Sequence, residues 1–215
     1  MAKKLLTTPK GVAIYPHLSK PDTKFNKDGV YTVKLKLEGP EATALAKQIA
    51  AAAKAKVEET RVEKEKAQKG TGKKVKAADL PISKETDDEG NETGALIFSF
   101  KMNATGKSKA GEVFTNKPVI FNAAGTPVAD LRIGGGSVIR ISYELNTFYV
   151  PAIGAGASLR LHAVQVIELV EFGGNAKYFG FENEEGETAA AEATTDEEVV
   201  AAVADEDDPD SADAF

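Results

Sequence analysis

The sequence predicts a mainly β protein: a small barrel of five or six strands with one long inserted α-helix, followed by a disordered acidic tail. Three observations predict it. Apolar and polar residues alternate with period two around 31–37, 96–102 and 139–145, the pattern of half-buried strands. A single helical pattern, at about 41–69, interrupts them, with none of the strand–helix alternation of a parallel sheet. Beyond residue 181 the chain is dominated by Glu, Asp, Ala and Thr, too little apolar surface to offset the chain entropy of folding.

Taken in order, Gly11 to Leu18 is a short apolar run containing Tyr15 and reads as a first strand. It ends in the turn-rich Ser19-Lys20-Pro21-Asp22 and Asn26-Lys27-Asp28-Gly29. Tyr31, Val33, Leu35 and Leu37 then alternate with Thr32, Lys34 and Lys36, one face apolar and the other hydroxyl and ammonium. Gly39-Pro40-Glu41 caps the helix, whose stripe Leu45, Ile49, Ala53, Val57 recurs every four residues before Gly70 stops it. Such a helix is about 43 Å long, and its narrow, Ala-rich stripe predicts that it lies across one end of the barrel and projects past it. Residues 71–94 read as a linker, Lys-rich and then acidic, with a turn at Asp88-Glu89-Gly90-Asn91. Leu96, Phe98, Phe100 and Met102 form the next alternation, Pro118 to Asn122 a shorter strand, and Ile139, Ile141, Tyr143 and Leu145 a third strong one after Gly134-Gly135-Gly136. A loop at 146–157 carries Phe148 and Tyr149 into a last strand from Ser158, where the apolar phase shifts at Ala163-Val164 as a β-bulge requires. Five or six strands with one inserted helix read as a barrel of OB type.

The net charge of −6 conceals a division. Glu182 to Asp213 holds 14 of the 33 acidic residues and no base, leaving 19 acids against 27 bases, about +8, on residues 1–181. All but one of the 15 aromatics lie on that basic body, and the exception is Phe215. Cysteine is absent, which removes disulfides, thiolate metal sites and cysteine nucleophiles and fits a reducing compartment. His17 and His162 are too few for a three-histidine zinc site. No apolar run approaches the roughly 20 residues of a membrane span, and the start lacks a signal-peptide core, so the expectation is a soluble intracellular protein with no membrane partner.

Lys3 and Lys4 open the chain, and Lys34, Lys36, Lys101, Arg140 and Arg160 occupy the polar phase of predicted strands. Single-strand binding needs such cations for phosphates and exposed rings for bases. A solvated strand face accounts for any one of these lysines, whereas the collective excess favours a polyanion partner. Neutralising about five phosphates would give a log–log salt slope of roughly −3.5. Tyr15, Tyr31, Phe98, Phe100, Phe114, Phe121 and Tyr143 fall mostly on apolar phases and are expected in the core, while Phe148 and Tyr149 are open to stacking, an interface or loop packing. Gly106-Lys107-Ser108 is not a P-loop, because Lys101 stands where the first glycine is needed. Asp205-Glu206-Asp207-Asp208 lacks the spacing of an EF-hand. The tail spans about 32 Å against a body radius of gyration of about 16 Å, so it can reach a basic groove, its carboxylates imitating phosphates and Phe215 a base.

The chain resembles the single-stranded DNA-binding proteins of T7-type short-tailed bacteriophages. The likeness lies in MAKK at the start, KPD at 20–22, GVY at 29–31, IGGGS at 133–137, GAS at 156–158, ELV at 168–170, FGG at 172–174 and an acidic tail ending in Phe215. The resemblance implies an OB-fold, sequence-independent binding of single-stranded DNA in phage replication, recombination and repair, strand annealing, and a homodimer in the cytoplasm of the infected bacterium. It also implies a tail that competes with DNA and contacts the phage DNA polymerase and primase-helicase. By position, Lys3 would touch DNA, Phe148 would sit near the groove or dimer interface, and Asp205, Glu206, Asp207, Asp208, Asp210, Asp213 and Phe215 would form the partner-binding tail. The chain departs from the family at 146–157, where Tyr149 and Val150 occupy a region associated with Lys and Trp.

The expectation is therefore a non-enzymatic protein, without cofactor or metal, with residues 1–181 as the DNA-binding domain and 182–215 as the tail. The competing readings are an acidic-tailed interaction or chaperone module for basic partners and an annealing mediator of another family. An enzyme is disfavoured, since the body shows no paired carboxylates, nucleophile–base pair or metal cluster.

Overall fold

A computed structural model describes residues 4–170 except 25, 68–74, 88, 109–110 and 130. Its strands are β1 (Leu6–Thr7), β2 (Gly11–Asp22), β3 (Val30–Leu37), β4 (Ile82–Thr86), β5 (Glu92–Asn103), β6 (Thr105–Lys107), β7 (Val113–Thr115), β8 (Val119–Phe121), β9 (Val138–Val150) and β10 (Gly154–Glu168), with helix α1 (Gly39–Ala67) between β3 and β4. Lys3 and the tail residues Asp205, Glu206, Asp207, Asp208, Asp210, Asp213 and Phe215 lie outside the described residues.

The molecule is mainly β with one helix, as the alternations predict. Antiparallel pairings join β2 to β3 and β3 to β5. β5 meets β10 in parallel, β10 pairs antiparallel with β9, and β9 returns to β2, so the pairings of these five long strands end where they began. Short strands flank this circuit: β1 on β9, β8 on β10 and β4 on β5.

Period two decides what lies inside. Val33 and Leu35, Phe98 and Phe100, Ile139, Ile141 and Tyr143, and Leu159 and Leu161 are all fully buried, and they alternate with the polar residues of the same strands. Phe100 meets Tyr143 edge-on, with ring centroids 5.3 Å apart, an arrangement worth about 0.5–1.5 kcal/mol beyond burial. Burying each of these large side chains contributes about 1.5–3 kcal/mol.

Glu41 sits in the first turn of the helix and Lys64 and Lys66 in its last described turn, while Gly70, expected to stop it, lies outside the described residues. Ala42, Leu45, Ile49 and Ala53 are its buried stripe, packed on β10, β9 and β5. Arg61 to Lys66 is largely exposed, with Arg61 bridging Glu58 and Glu65.

Three expectations need correction. The segment 71–94 contains a strand, because Ile82–Thr86 pairs with β5 through Ile82 opposite Phe98 and Ser83 opposite Ile97. A five-residue edge strand rich in exposed polar residues carries too little alternation to be read. Its return turn is held by the Asp87 carboxylate, which accepts from the backbone N–H groups of Asn91 and Glu89. Those bonds, Asn91's foremost, lower the Asp87 pKa. Secondly, Phe148 and Tyr149 lie in a strand, since β9 runs to Val150 and β10 starts at Gly154. The Gly-Ala run opposite them hides the pairing from the sequence. Thirdly, Tyr15 and Phe114 are not core residues: they are 74% and 44% exposed. The bulge expected near Ala163 is present as a register shift between Leu161 and Ala163. Gly106-Lys107 belongs to β6 of a small two-stranded sheet, so no helix follows it.

Candidate nucleic-acid interface

Register puts the polar phases of four strands on one outer face. Thr32 of β3 stands opposite Lys101 of β5, Lys101 beside Arg160 of β10, and Arg160 opposite Glu144 of β9. The row crosses three strand spacings, about 14 Å. Lys34 and Ser99, themselves paired, lie two residues along the same strands and on the same side. Two connected hollows open on this face, and Lys101 and Ser158 line both. One, of about 390 Å³, lies between Phe148, Ile153 and the segment Lys76–Pro81. The other, of about 290 Å³, is bounded by Arg160, Asn103, Asn146 and Phe114.

The wall of the first hollow depends on two glycines of β10. The Ala155 N–H donates to Lys76 O at 2.9 Å, and the Ala78 N–H donates to Ala155 O at 2.8 Å. Gly154, at φ 107°, lets that segment approach, since a Cβ there would lie 2.2 Å from Lys76 O. At Gly156 a Cβ would meet the Ala78 methyl at 2.9 Å and the Phe148 ring at 3.3 Å. The small residues of the hairpin thus create the space that Phe148 lines.

The remaining sites expected from the sequence divide sharply. Lys36 is tied to Glu85 at 2.8 Å across β5, and more loosely to Glu38 at 3.5 Å. The hydrogen bond to Glu85 raises the Lys36 pKa and, reciprocally, lowers that of Glu85. Tyr149 is engaged by the helix: the Lys64 ammonium donates to its hydroxyl and lies 4.5 Å from its ring centroid. Arg140 is opposite Gln165, four residues along β9 from Glu144, about 13 Å away. It lines a separate hollow of about 520 Å³ with Leu5, Val119, Phe121, Ser142 and His162. Lys4 is exposed just before β1. His162 Nε2 is 3.4 Å from the buried Glu144 carboxylate, between the two ends of the ribbon.

Two exposed rings on the cationic face escaped sequence reasoning. Tyr15 sits in the β2 irregularity between Ile14 and His17, with Lys34 Nζ 5.9 Å from its ring centroid. The signal was Pro16, since a proline inside a strand marks a bulge and a break in phase. Phe114 lies on β7 and borders the second hollow. Its three-residue strand is too short to show a phase.

This geometry defines a mainly β binding module with a cationic face. Among the described residues, no group of three His, Cys, Asp or Glu could hold a metal ion, and no helix is long and apolar enough to cross a membrane. Residues 10–169 match the family model of the single-stranded DNA-binding protein of bacteriophage T7, and the chain belongs to that family, whose members are binding proteins and not enzymes. Among solved structures, the single-stranded DNA-binding protein gp2.5 of bacteriophage T7 superposes with a TM-score of 0.67 at 28% identity, covering 88% of this chain and 100% of that one. The C-terminally truncated single-stranded DNA-binding protein of bacteriophage Enc34 gives 0.52 at 15% identity, over 78% of this chain and 87% of its own. The Enc34 protein in complex with single-stranded DNA gives 0.50 at 16%, over 79% and 89%. At those identities the Enc34 likeness concerns the fold. No curated protein matches the sequence.

Proposed function

We propose that the protein binds single-stranded DNA without sequence preference, along the face that carries Lys34, Lys101 and Arg160. The observation that carries this reading is the register itself, which sets cations from three neighbouring strands side by side above two connected hollows. Phosphates need cations spaced along a path, and this row supplies them. The strand circuit supports an OB-type barrel: β2, β3, β5, β9 and β10 correspond to strands one to five, with β5–β10 as its parallel contact. In that fold the second and third strands form the binding face, and here those are β3 and β5. Phe148 extends the face toward the hairpin. Lys3 and Lys4 at the start of the chain add cations to this reading, whereas Lys36 and Tyr149 in their present pairings and Arg140 at the far end of the ribbon contribute less.

The same reading takes the acidic residues beyond 181, with Phe215, as a competitor for this face and as the docking segment for the phage polymerase and primase-helicase. It includes strand annealing and a homodimer acting in the host cytoplasm. Fluorescence anisotropy of labelled dT12 and of a duplex, measured across salt with the full chain and a 1–181 truncation, tests it. The expected results are a preference for dT12, a log–log slope near −2 from about three neutralised phosphates, and tighter binding by the truncation. Equal affinity for duplex and single strand overturns the reading. Equal affinity of the two chains removes the competitor. Light scattering that shows a monomer at micromolar concentration removes the homodimer.

A further inference from the structure

We infer that Tyr15 and Phe114 are the base-stacking stations of this face, one at each end of its cationic floor, so that the strand runs across the β-strands from β2 to β10. The inference rests on the single-strand reading and adds the path and the aromatic contacts to it.

Tyr15 carries the first half. It is the one non-glycine residue with positive φ among the described residues, at 47°, a conformation that crowds the Cβ of an L residue against its own backbone. Yet its ring is 74% exposed and fills no core space. A strained residue whose side chain points to water is explained by a task at the surface, since packing gives nothing in return for the strain. The irregularity of β2 lifts the ring over β3, where Lys34 Nζ lies 5.9 Å from its centroid. A base stacked on Tyr15 therefore has a cation beside it for its own phosphate.

Phe114 carries the second half. Its ring rests on the backbone of Gly106, where an added Cβ would lie 2.5 Å from Cζ. Backbone on one side fixes the ring, while the hollow that it shares with Lys101, Asn103, Asn146, Ser158 and Arg160 lies open. A fixed, part-exposed ring next to two cations and a set of amides and hydroxyls can stack a base and bond its edge or the sugar–phosphate beside it. Gly106 is thus a positioning residue for Phe114. From Tyr15 on β2 the path passes Lys34 on β3 and reaches the hollow that Phe114 shares with Lys101 of β5 and Arg160 of β10, two to three strand spacings, about 10–14 Å.

Binding of dT12 and of an abasic strand of the same length, which keeps the phosphates and removes the bases, tests the inference. Tyr15→Ala and Phe114→Ala are each expected to weaken dT12 binding roughly tenfold, the loss of one stacked base, with the salt slope unchanged and abasic affinity equal to that of the parent. Tyr15→Trp retains dT12 affinity, and Gly106→Ala reproduces Phe114→Ala without adding to it. Equal weakening on dT12 and the abasic strand overturns the inference, because it marks a structural defect. Unchanged dT12 affinity in both alanine variants, with Lys101→Ala still lowering the slope, overturns the stations and leaves the cationic face standing. Absence of dT12 binding by the parent chain at low salt sinks the single-strand reading and the inference together.

Discussion

The β9–β10 ribbon carries hollows of two kinds along one outer face. Toward the hairpin, the connected pair of about 390 and 290 Å³ is lined by Lys101, Arg160, Ser158 and Asn146. Toward the other end, between β1 and β8, the larger hollow of about 520 Å³ is walled by Leu5, Val119 and Phe121 around Arg140. The larger one has the poorer chemistry for a polyanion. An apolar trough gains its volume where two short edge strands leave a ribbon uncovered, whereas a phosphate path depends on cations repeated at the strand spacing. Cation spacing across strands is therefore a better guide to this protein's ligand than cavity size.

The strongest test of the contrast is mechanical. Gly154 and Gly125 both have positive φ, but a Cβ at Gly154 would strike Lys76 O at 2.2 Å, while nothing lies within 4 Å at Gly125. Gly154→Ala is expected to cost about 3 kcal/mol from strain and overpacking, a fall in Tm of ~6–12 °C for a chain of this size. Gly125→Ala should cost only the left-handed backbone penalty, about 1 kcal/mol. Differential scanning calorimetry of both variants decides, and similar melting temperatures would show that the hairpin wall is not locked as described.

Next in size is the charge on the hairpin side. Removing Lys101 and Arg160 together should weaken dT12 by about 2 kcal/mol, or roughly 30-fold, and reduce the magnitude of the salt slope by about 1.4. A smaller change in the slope means that the phosphates do not pass over this row.

A gain of function sharpens the comparison within β3. Lys34 and Lys36 share a face two residues apart, but Glu85 holds Lys36. Glu85→Gln should release a further cation, tightening dT12 binding two- to threefold and steepening the slope by up to about 0.7. The pairing also sets two pH limits. Glu85 has a folded pKa below its usual 4.5, so its contribution to stability is present above the unfolded value and lost as pH falls through the folded one. Lys36 lies above its usual 10.5, so its contribution is lost only as pH rises through that raised value. Both losses fall outside pH 5–10, and thermal melts of the parent and Glu85→Gln across pH 3–11 should differ by a constant amount inside that window.

How far the sequence alone reaches is set by the length of each pattern. Eight residues of clean alternation made β3 unmistakable, and they placed Lys34 on an outer face before any register was known. Three-residue β7 offered no phase, so Phe114 read as a core residue. At Tyr15 the phase existed but the irregularity before His17 broke it, and an apolar-phase residue emerged on the surface. Lys36 and Tyr149 show a further limit: their partners, Glu85 and Lys64, come from β4 and α1, and only the folded arrangement brings them close. Strand patterns report which way a side chain points, but not which group of another element it meets there.

The smallest expected effect tests the comparison as a whole. Arg140 stands out in the sequence for the same reason as Lys101 and Arg160, a cation on the polar phase of a strong strand. Its place at the Gln165 position sets it about 13 Å along the ribbon from the Glu144–Arg160 pair. At that separation, more than a Debye length of about 10 Å at 0.1 M salt, an exposed guanidinium adds little to a phosphate held on the Lys101–Arg160 row. The buried Glu144 carboxylate and His162 Nε2, 3.4 Å apart, stand between the two ends of the ribbon. Arg140→Ala should therefore change dT12 affinity by less than twofold and leave the salt slope within ~0.2 of the parent. A slope loss near 0.7 would mean that the strand continues past Glu144 into the apolar trough. The hairpin pair and the apolar trough would then be halves of one binding surface, with the bases of the far half on Leu5, Val119 and Phe121.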